Sequence, residues 1–266
     1  MFYDTHAHYD DKRIKRADVL IHSAYLNNVT RILNVGRDLH SSQFSVDLAK
    51  EYSFIYATVG VCPNSVTDIR SRANTLTALQ KMLSYEKVVA VGECGLDYSH
   101  KFNKIEANYY RGWTAKDLQK DWFRLQLELG IRHARPMIVH CRQAYKDCLK
   151  IISEYPEARG VFHGFSGDAE IAQQLIHLGW YISFCGSITY KNKDAAKLRE
   201  IMCALPQDKI MIETDCPFYA PHPMRGQANH SGFLHYTAQV GADLLGMSLQ
   251  EFAQLTTNNA RLLFGV

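Results

Sequence analysis

Apolar residues along this chain follow two alternating periods. Short runs rich in β-branched and aromatic residues, which suit strands, give way to stretches with apolar residues at helical spacing. Strands are expected at Phe2–His8, Arg31–Gly36, Phe54–Val61, Val88–Glu93, Pro136–Cys141, Gly160–Phe165, Trp180–Gly186 and Lys209–Asp215. Between them lie helical stretches at Ala17–Asn28, Ser41–Tyr52, Thr75–Tyr85, Leu118–Gly130, Ala144–Glu154, Ala169–Leu178 and Asp194–Ala204. Two more, Gly232–Leu245 and Ser248–Leu255, follow the last strand, and Ser41, Asp168 and Ser248 are candidate N-caps.

Strand–helix alternation implies a parallel sheet with right-handed crossovers. Eight such units fit a closed (β/α)8 TIM-type barrel, whose active sites lie at the C-terminal ends of the strands. An open doubly wound sheet is the alternative. No Gly/Pro/Ser-rich linker, low-complexity tract or internal repeat divides the 266 residues, so residues 1–266 read as one domain.

Composition narrows the classes. With 47% hydrophobic and 21% charged residues the chain is neither disordered nor fibrous. Its apolar runs are too short to span a bilayer, and the N-terminus lacks the basic-then-apolar pattern of a signal peptide. Seven cysteines, with no C-x-x-C pair, suggest reduced thiols and a cytoplasmic location. A net charge of +3 does not by itself indicate a nucleic-acid binder, nor does it oppose an anionic substrate. The absence of G-x-S-x-G and P-loop motifs removes serine-hydrolase and nucleotide-cradle mechanisms.

Polar residues at the strand ends carry the chemistry. Asp4, His6 and His8 share one face by the period of two, Glu93 ends strand four, and His140, His163 and Asp215 end strands five, six and eight. Burying so many acids and imidazoles together is costly unless a cation joins them. Imidazole nitrogen with carboxylate oxygen suits divalent Zn, Mn, Fe or Co, and the carboxylate share also admits Mg. The remaining histidines read as packed or solvated, with His100, His222 and His230 falling in rim loops. Cys94, Cys141 and Cys216 each follow a candidate ligand, so alternation turns them toward the helices.

These residues stand in motifs, and with them the chain resembles the TatD family of metal-dependent hydrolases, the TatD-like deoxyribonucleases. The motifs are Asp4-Thr-His6-Ala-His8, Gly92-Glu93-Cys-Gly95-Leu-Asp97-Tyr98, Ile138-Val-His140-Cys-Arg142, His163-Gly-Phe165-Ser-Gly167 and Glu213-Thr-Asp215-Cys-Pro217. A loop with Arg225-Gly226 and Asn229 follows. The resemblance implies a TIM-type barrel with two divalent metal ions (Mg2+, Mn2+ or Zn2+) that hydrolyses phosphodiester bonds of DNA. His6, His8 and Asp215 would hold one ion and His140 and His163 the other, with Glu93 bridging. Asp215 and Glu93 are thus the candidate catalytic residues, Asp215 as general base. Glu213 is either a partner orienting a ligand histidine or a plain buried ion pair.

The chain also departs from the family. Where the family has Gly-Val/Ile-His-Pro-His after strand three, this chain has Gly60-Val-Cys62-Pro63-Asn64, placing uncharged Cys62 and Asn64 at substrate-contacting positions. The loop after strand eight reads Asn229-His230-Ser231 where the family continues Asn-Glu-Pro. Arg142 and Arg225 are candidate phosphate contacts, or else salt bridges pinning loops. The segment from Ser99 to Lys116 interleaves Tyr109, Tyr110 and Trp113 with Lys101, Lys104, Arg111 and Lys116, which suits stacking on single-stranded DNA or, alternatively, a lid or subunit contact. The expected activity is deoxyribonuclease, exonucleolytic if the site is a closed pocket. The alternative is hydrolysis of a small ester, lactone or phosphoester on the same barrel.

Overall fold

The computed structural model describes residues 1–99 and 113–266. Among them eight parallel strands follow one another around a single sheet. They are β1 (Phe2–Ala7), β2 (Val29–Val35), β3 (Ile55–Val59), β4 (Val88–Asp97), β5 (Met137–Arg142), β6 (Gly160–Phe162), β7 (Tyr181–Phe184) and β8 (Ile210–Ile212). After each strand comes one helix: α1 (Ala17–Leu26), α2 (Leu39–Glu51), α3 (Arg72–Met82), α4 (Ala115–Arg132), α5 (Tyr145–Ser153), α6 (Ala169–His177), α7 (Lys193–Ala204) and α8 (Leu234–Leu245). A final helix, α9 (Leu249–Phe264), ends the fold. Beyond β8 the chain closes on β1: the Asp215 N–H donates to the His6 carbonyl at 2.8 Å, and the His8 N–H to that of Cys216 at 2.9 Å. The architecture is the (β/α)8 barrel, one of the two that strand–helix alternation allows, and the open-sheet alternative falls.

Inside the barrel Tyr3, Leu33, Val89, Ile138, Val161 and Met211 form one buried cluster with Ala260, Leu263 and Phe264 of α9. The helix therefore plugs the end of the barrel opposite the strand C-termini. Each large apolar side chain buried there stabilises the fold by about 1.5–3 kcal/mol. The sequence reading stops this helix at Leu255, nine residues short. Polar Thr256, Thr257 and Asn259 interrupt the apolar period, yet all three are buried, and Asn259 donates to the carbonyls of Gln207 and Ile210 at 2.8 Å.

Other boundaries also move. Ser41 lies inside α2, where it completes a capping box with the true N-cap, Asp38; Asp168 and Ser248 cap α6 and α9 as expected. β4 continues four residues past Glu93, whereas β6 and β8 end before His163 and Asp215. Those two residues stand on loops just beyond their strands.

Candidate metal and active site

Three local devices turn polar side chains into the barrel mouth. In β1 the pairing with β2 shifts register between Asp4 and Ala7, which interrupts plain alternation. Asp4 therefore does not join His6 and His8 as the period of two would have it. Its carboxylate accepts from the Thr214 N–H at 2.9 Å and the Thr214 hydroxyl at 2.6 Å, pinning the β8 end against β1.

In β4 the pairing steps from Gly92 opposite Ile138 to Cys94 opposite Val139, so Glu93 is the extra residue of a bulge. The flanking backbone has positive φ, 155° at Gly92 and 121° at Gly95. A Cβ on Gly92 would lie 2.8 Å from the Ile138 carbonyl oxygen, and one on Gly95 would strike that of His140. Only glycine lets β4 and β5 approach this closely while aiming Glu93 inward.

The third device is Asp215 itself, held at φ 51° by its bond to the His6 carbonyl. A left-handed conformation in a non-glycine residue costs of order 1–3 kcal/mol and is characteristic of functional sites.

The result is a compact cluster around Glu93. Its Oε2 lies 3.8 Å from His6 Nε2 and 3.6 Å from His8 Nε2, while its Oε1 lies 3.0 Å from His140 Nδ1 and 3.4 Å from His163 Nε2. Asp215 Oδ1 faces the first pair, 3.8 Å from His6 Nε2 and 3.6 Å from His8 Nε2. The His6 and His163 rings stack at 3.9 Å.

Partners behind the rings decide which nitrogens face inward. His8 Nδ1 donates to the Val35 carbonyl at 3.0 Å, which leaves Nε2 as a lone pair toward the cluster. His163 Nδ1 faces Glu213 Oε1 at 3.3 Å, and His140 Nε2 faces Asp97 Oδ2 at 3.2 Å. Carboxylates behind imidazoles in this way are what metal-binding histidines use to fix the tautomer.

The electrostatics agree with a cation site. Burial drives the His6 pKa well below its ordinary value and that of His8 down to about 4, so both are neutral donors. Burial pushes the Asp215 carboxyl up to about 8. For Glu93 burial acts against ionisation, but hydrogen bonds from His140 and His163 prevail and hold it well below the usual range. Burial likewise opposes protonation of those two histidines, and bonding to Asp97, Glu213 and Glu93 overcomes it and raises both. The cluster thus calls for positive charge between its carboxylates and imidazoles.

Three triads have ligand atoms all within 4.8 Å of one another: His6, His8 and Glu93; His6, His163 and Asp215; Glu93, His140 and His163. His6 Nδ1, the ring nitrogen not turned to Glu93, is buried without a hydrogen-bond partner. The residues present fit divalent metal, with nitrogen and oxygen donors of the kind Zn, Mn, Fe and Co accept.

Of these groups His8, Glu93, His140, His163 and Asp215 line a cavity of about 470 Å3, which Cys62, Asn64 and Arg142 also line, while His6 lies buried behind it. Cys62 is buried, with Sγ 3.4 Å from the Ser65 hydroxyl, and burial pushes its thiol up to about 12. The Asn64 Oδ1 has no hydrogen-bond partner. Arg142 is exposed and donates to the Tyr219 hydroxyl at 3.2 Å. Arg225 does not line this cavity; its guanidinium lies 4.0 Å over the Tyr190 ring. Cys94, Cys141 and Cys216 pack into apolar clusters. A larger cavity of about 850 Å3 opens beside α6 and α7 and shares Arg142, but none of the clustered histidines lines it.

The sequence assigns no role to two residues that the structure brings to the site. Asp97 stands four positions after Glu93 on β4, a spacing that signals a shared face once the strand is known to continue. Arg37 stands two residues past β2, and it rather than Arg225 is the second arginine of the cavity. In the proposed stacking segment only Ser99 and residues from Trp113 onward are described; Tyr109, Tyr110, Lys101, Lys104 and Arg111, with His100, lie outside the described residues. Trp113 is partly exposed, and the Lys116 ammonium sits 4.5 Å over the Tyr98 ring.

Comparison with known proteins gives a consistent picture. The family model described as TatD related DNase matches residues 3–265. A Bacillus subtilis protein described as the uncharacterized metal-dependent hydrolase YabD is 36% identical, with both chains covered in full. A Citrobacter rodentium protein named 3'-5' ssDNA/RNA exonuclease TatD is 29% identical, over 95% of this chain and 93% of its own. Among solved structures, the Escherichia coli TatD homologue YjjV superposes with a TM-score of 0.87 at 28% identity, covering 100% of this chain and 98% of its own.

Proposed function

Because this chain belongs to the TatD family of metal-dependent hydrolases, we propose that it hydrolyses phosphodiester bonds of DNA, removing nucleotides from the end of a single strand. One observation carries the reading. The two oxygens of Glu93 face two separate histidine pairs, and three of those four histidines line a cavity together with Arg37 and Arg142. That arrangement suits two divalent ions bridged by one carboxylate, beneath a site that accepts an anion. The exonuclease name of the Citrobacter relative supports the substrate class. A cavity of about 470 Å3 supports attack at a chain end, since it has room for about one nucleotide.

His6, His8 and Asp215 would hold one ion and His140 and His163 the other, with Glu93 between. Ions bound there would supply Lewis-acid charge to the phosphoryl oxygens and make a water nucleophilic near neutral pH. The chain's own residues do the rest. Glu213 and Asp97 keep His163 and His140 turned so that their inward nitrogens point at Glu93. Asp215, fixed by the His6 carbonyl and facing the cavity, is positioned to take a proton from the attacking water. Arg142 offers a guanidinium to the phosphate.

The test is cleavage of end-labelled single-stranded DNA with Mg2+, Mn2+ or Zn2+, beside an Asp215→Ala control. Metal-dependent shortening that disappears in the variant supports the reading. Intact DNA with every metal, from a protein that still binds two ions, overturns it in favour of a smaller ester.

A further inference from the structure

We propose that Arg37 is the specificity-determining residue for anionic substrate in this cavity, gripping the phosphate across from Arg142; this rests on the function proposed above. The wall after β3 presents the thiol of Cys62, the carboxamide of Asn64 and Ser65, none of which carries positive charge. Among the described residues lining the cavity, positive side chains other than histidine come from Arg37 and Arg142 alone.

Arg37 is held where such a contact is needed. Its backbone N–H donates to the Ser41 hydroxyl at 2.8 Å, and its carbonyl accepts from the Cys62 N–H at 2.9 Å, which joins the β2 end to the wall. One terminal nitrogen, Nη2, donates to Asp10 Oδ2 at 2.7 Å, and Nη1 lies 3.8 Å from Asp11 Oδ2. Asp10 is nearly buried and anchors one end of the guanidinium, Asp11 is itself held by Arg13, and the side chain of Arg37 stays 27% exposed. A guanidinium has five donors in a rigid fork. With one committed to Asp10, the others remain to meet two oxygens of a phosphate, a geometry a flexible ammonium cannot reproduce. The Asn64 carboxamide stands on the same wall, and its NH2 group is the part of it that can donate a neutral hydrogen bond to phosphate.

Arg37 thus supplies charge that neither Cys62 nor Asn64 has. Asp10 is its positioning residue. The predicted consequence is discrimination: substrates with an anionic phosphodiester need Arg37, and neutral esters do not.

The experiment compares wild type with Arg37→Met and Arg37→Lys. Binding of a fluorescein-labelled single-stranded oligonucleotide is followed by anisotropy in EDTA over a salt series, so that turnover plays no part. Arg37→Met is expected to weaken binding about tenfold and to flatten the log K against log salt slope by about 0.7, the loss of one phosphate contact on a single strand. Arg37→Lys is expected to restore the slope but not the full affinity. With Mn2+ present, KM for the oligonucleotide should rise in Arg37→Met while Mn2+ affinity stays as in wild type. The double variant Asp10→Asn, Arg37→Met removes both charges of the pair and reads the same loss should the single variant fold poorly.

If wild type binds and cleaves DNA and Arg37→Met does so with unchanged affinity and slope, Arg37 is only a structural ion pair and the proposal falls. If wild type neither binds nor cleaves DNA, it is the nuclease reading that fails. Inorganic phosphate as a competitive inhibitor of ester hydrolysis then decides the role of Arg37. Weaker inhibition of Arg37→Met upholds the anion contact, and equal inhibition overturns it.

Discussion

Replacing Glu213 by glutamine separates a residue that orients a metal ligand from one that merely fills a buried space. Glu213 is fully buried, and its Oε1 accepts from the Gly164 N–H at 2.7 Å as well as facing His163 Nδ1 at 3.3 Å. Glutamine has the same shape and keeps one oxygen for both donors, so the loop after β6 should retain its path. What disappears is the negative charge behind the imidazole. A charge-assisted hydrogen bond is about twice as strong as a neutral one of about 1 kcal/mol, so the His163 contact should weaken by roughly 1–1.5 kcal/mol. That energy corresponds to about a tenfold loss of metal affinity, at the low end of the effect expected from removing such a partner. The new amide nitrogen would replace Oε2, which has no hydrogen-bond partner, leaving a buried unpaired donor that costs about 1–3 kcal/mol. This second cost falls on metal-free and metal-bound protein alike, so it lowers the unfolding midpoint without changing affinity. Competition against a chelating dye measures the first effect, and urea denaturation in EDTA measures the second. A folded Glu213→Gln protein whose metal affinity stays within about twofold of wild type would show that Glu213 serves only to anchor Gly164.

Further outcomes follow from the same geometry. Gly95→Ala should destabilise the barrel by about 2–5 kcal/mol, because its Cβ would strike the His140 carbonyl and the residue would have to adopt φ 121°; an unchanged urea midpoint would contradict the close approach of β4 and β5. Saturating the protein with Mn2+ about 100-fold above Kd should add about 2.7 kcal/mol of stability, which EDTA removes without unfolding a barrel built on its own core; calorimetry with and without chelator measures it, and an unmoved transition would mean that the cluster binds no ion. His230 sets a pH-dependent term. Burial lowers its pKa to about 4, so it stays neutral in the folded chain while the unfolded chain protonates near pH 6.5. Stability is therefore lost as pH falls from about 6.5 toward 4. His230→Asn, which can still accept from the Gly232 N–H, should flatten that acid limb; identical urea midpoints for variant and wild type between pH 7 and 4.5 would disprove it.

The sequence by itself determined the architecture and most of the cluster, because each rests on information carried locally. Alternation of β-branched runs with helical spacing requires parallel strands joined by helices, and histidine or carboxylate at the end of an apolar run is legible without coordinates. His6, His8, Glu93, His140, His163 and Asp215 all converge at one end of the barrel. Only the tertiary structure decided how they are aimed. The bulge at Glu93 and the register shift after Asp4 depend on pairing with neighbouring strands, and pairing has no signature within a single segment. Alternation therefore groups Asp4 with the histidines, whereas its carboxylate bonds to Thr214. The sequence points to Arg225 and says nothing of Arg37, because distance along the chain does not tell which loop leans over the mouth; the short turn after β2 holds Arg37 there. The length of α9 was hidden for a related reason. Thr256, Thr257 and Asn259 look like the end of an amphipathic helix until β1 and β8 are present to bury them. Periodicity reports the face an element turns to the core, and contacts between distant elements determine what stands across from it.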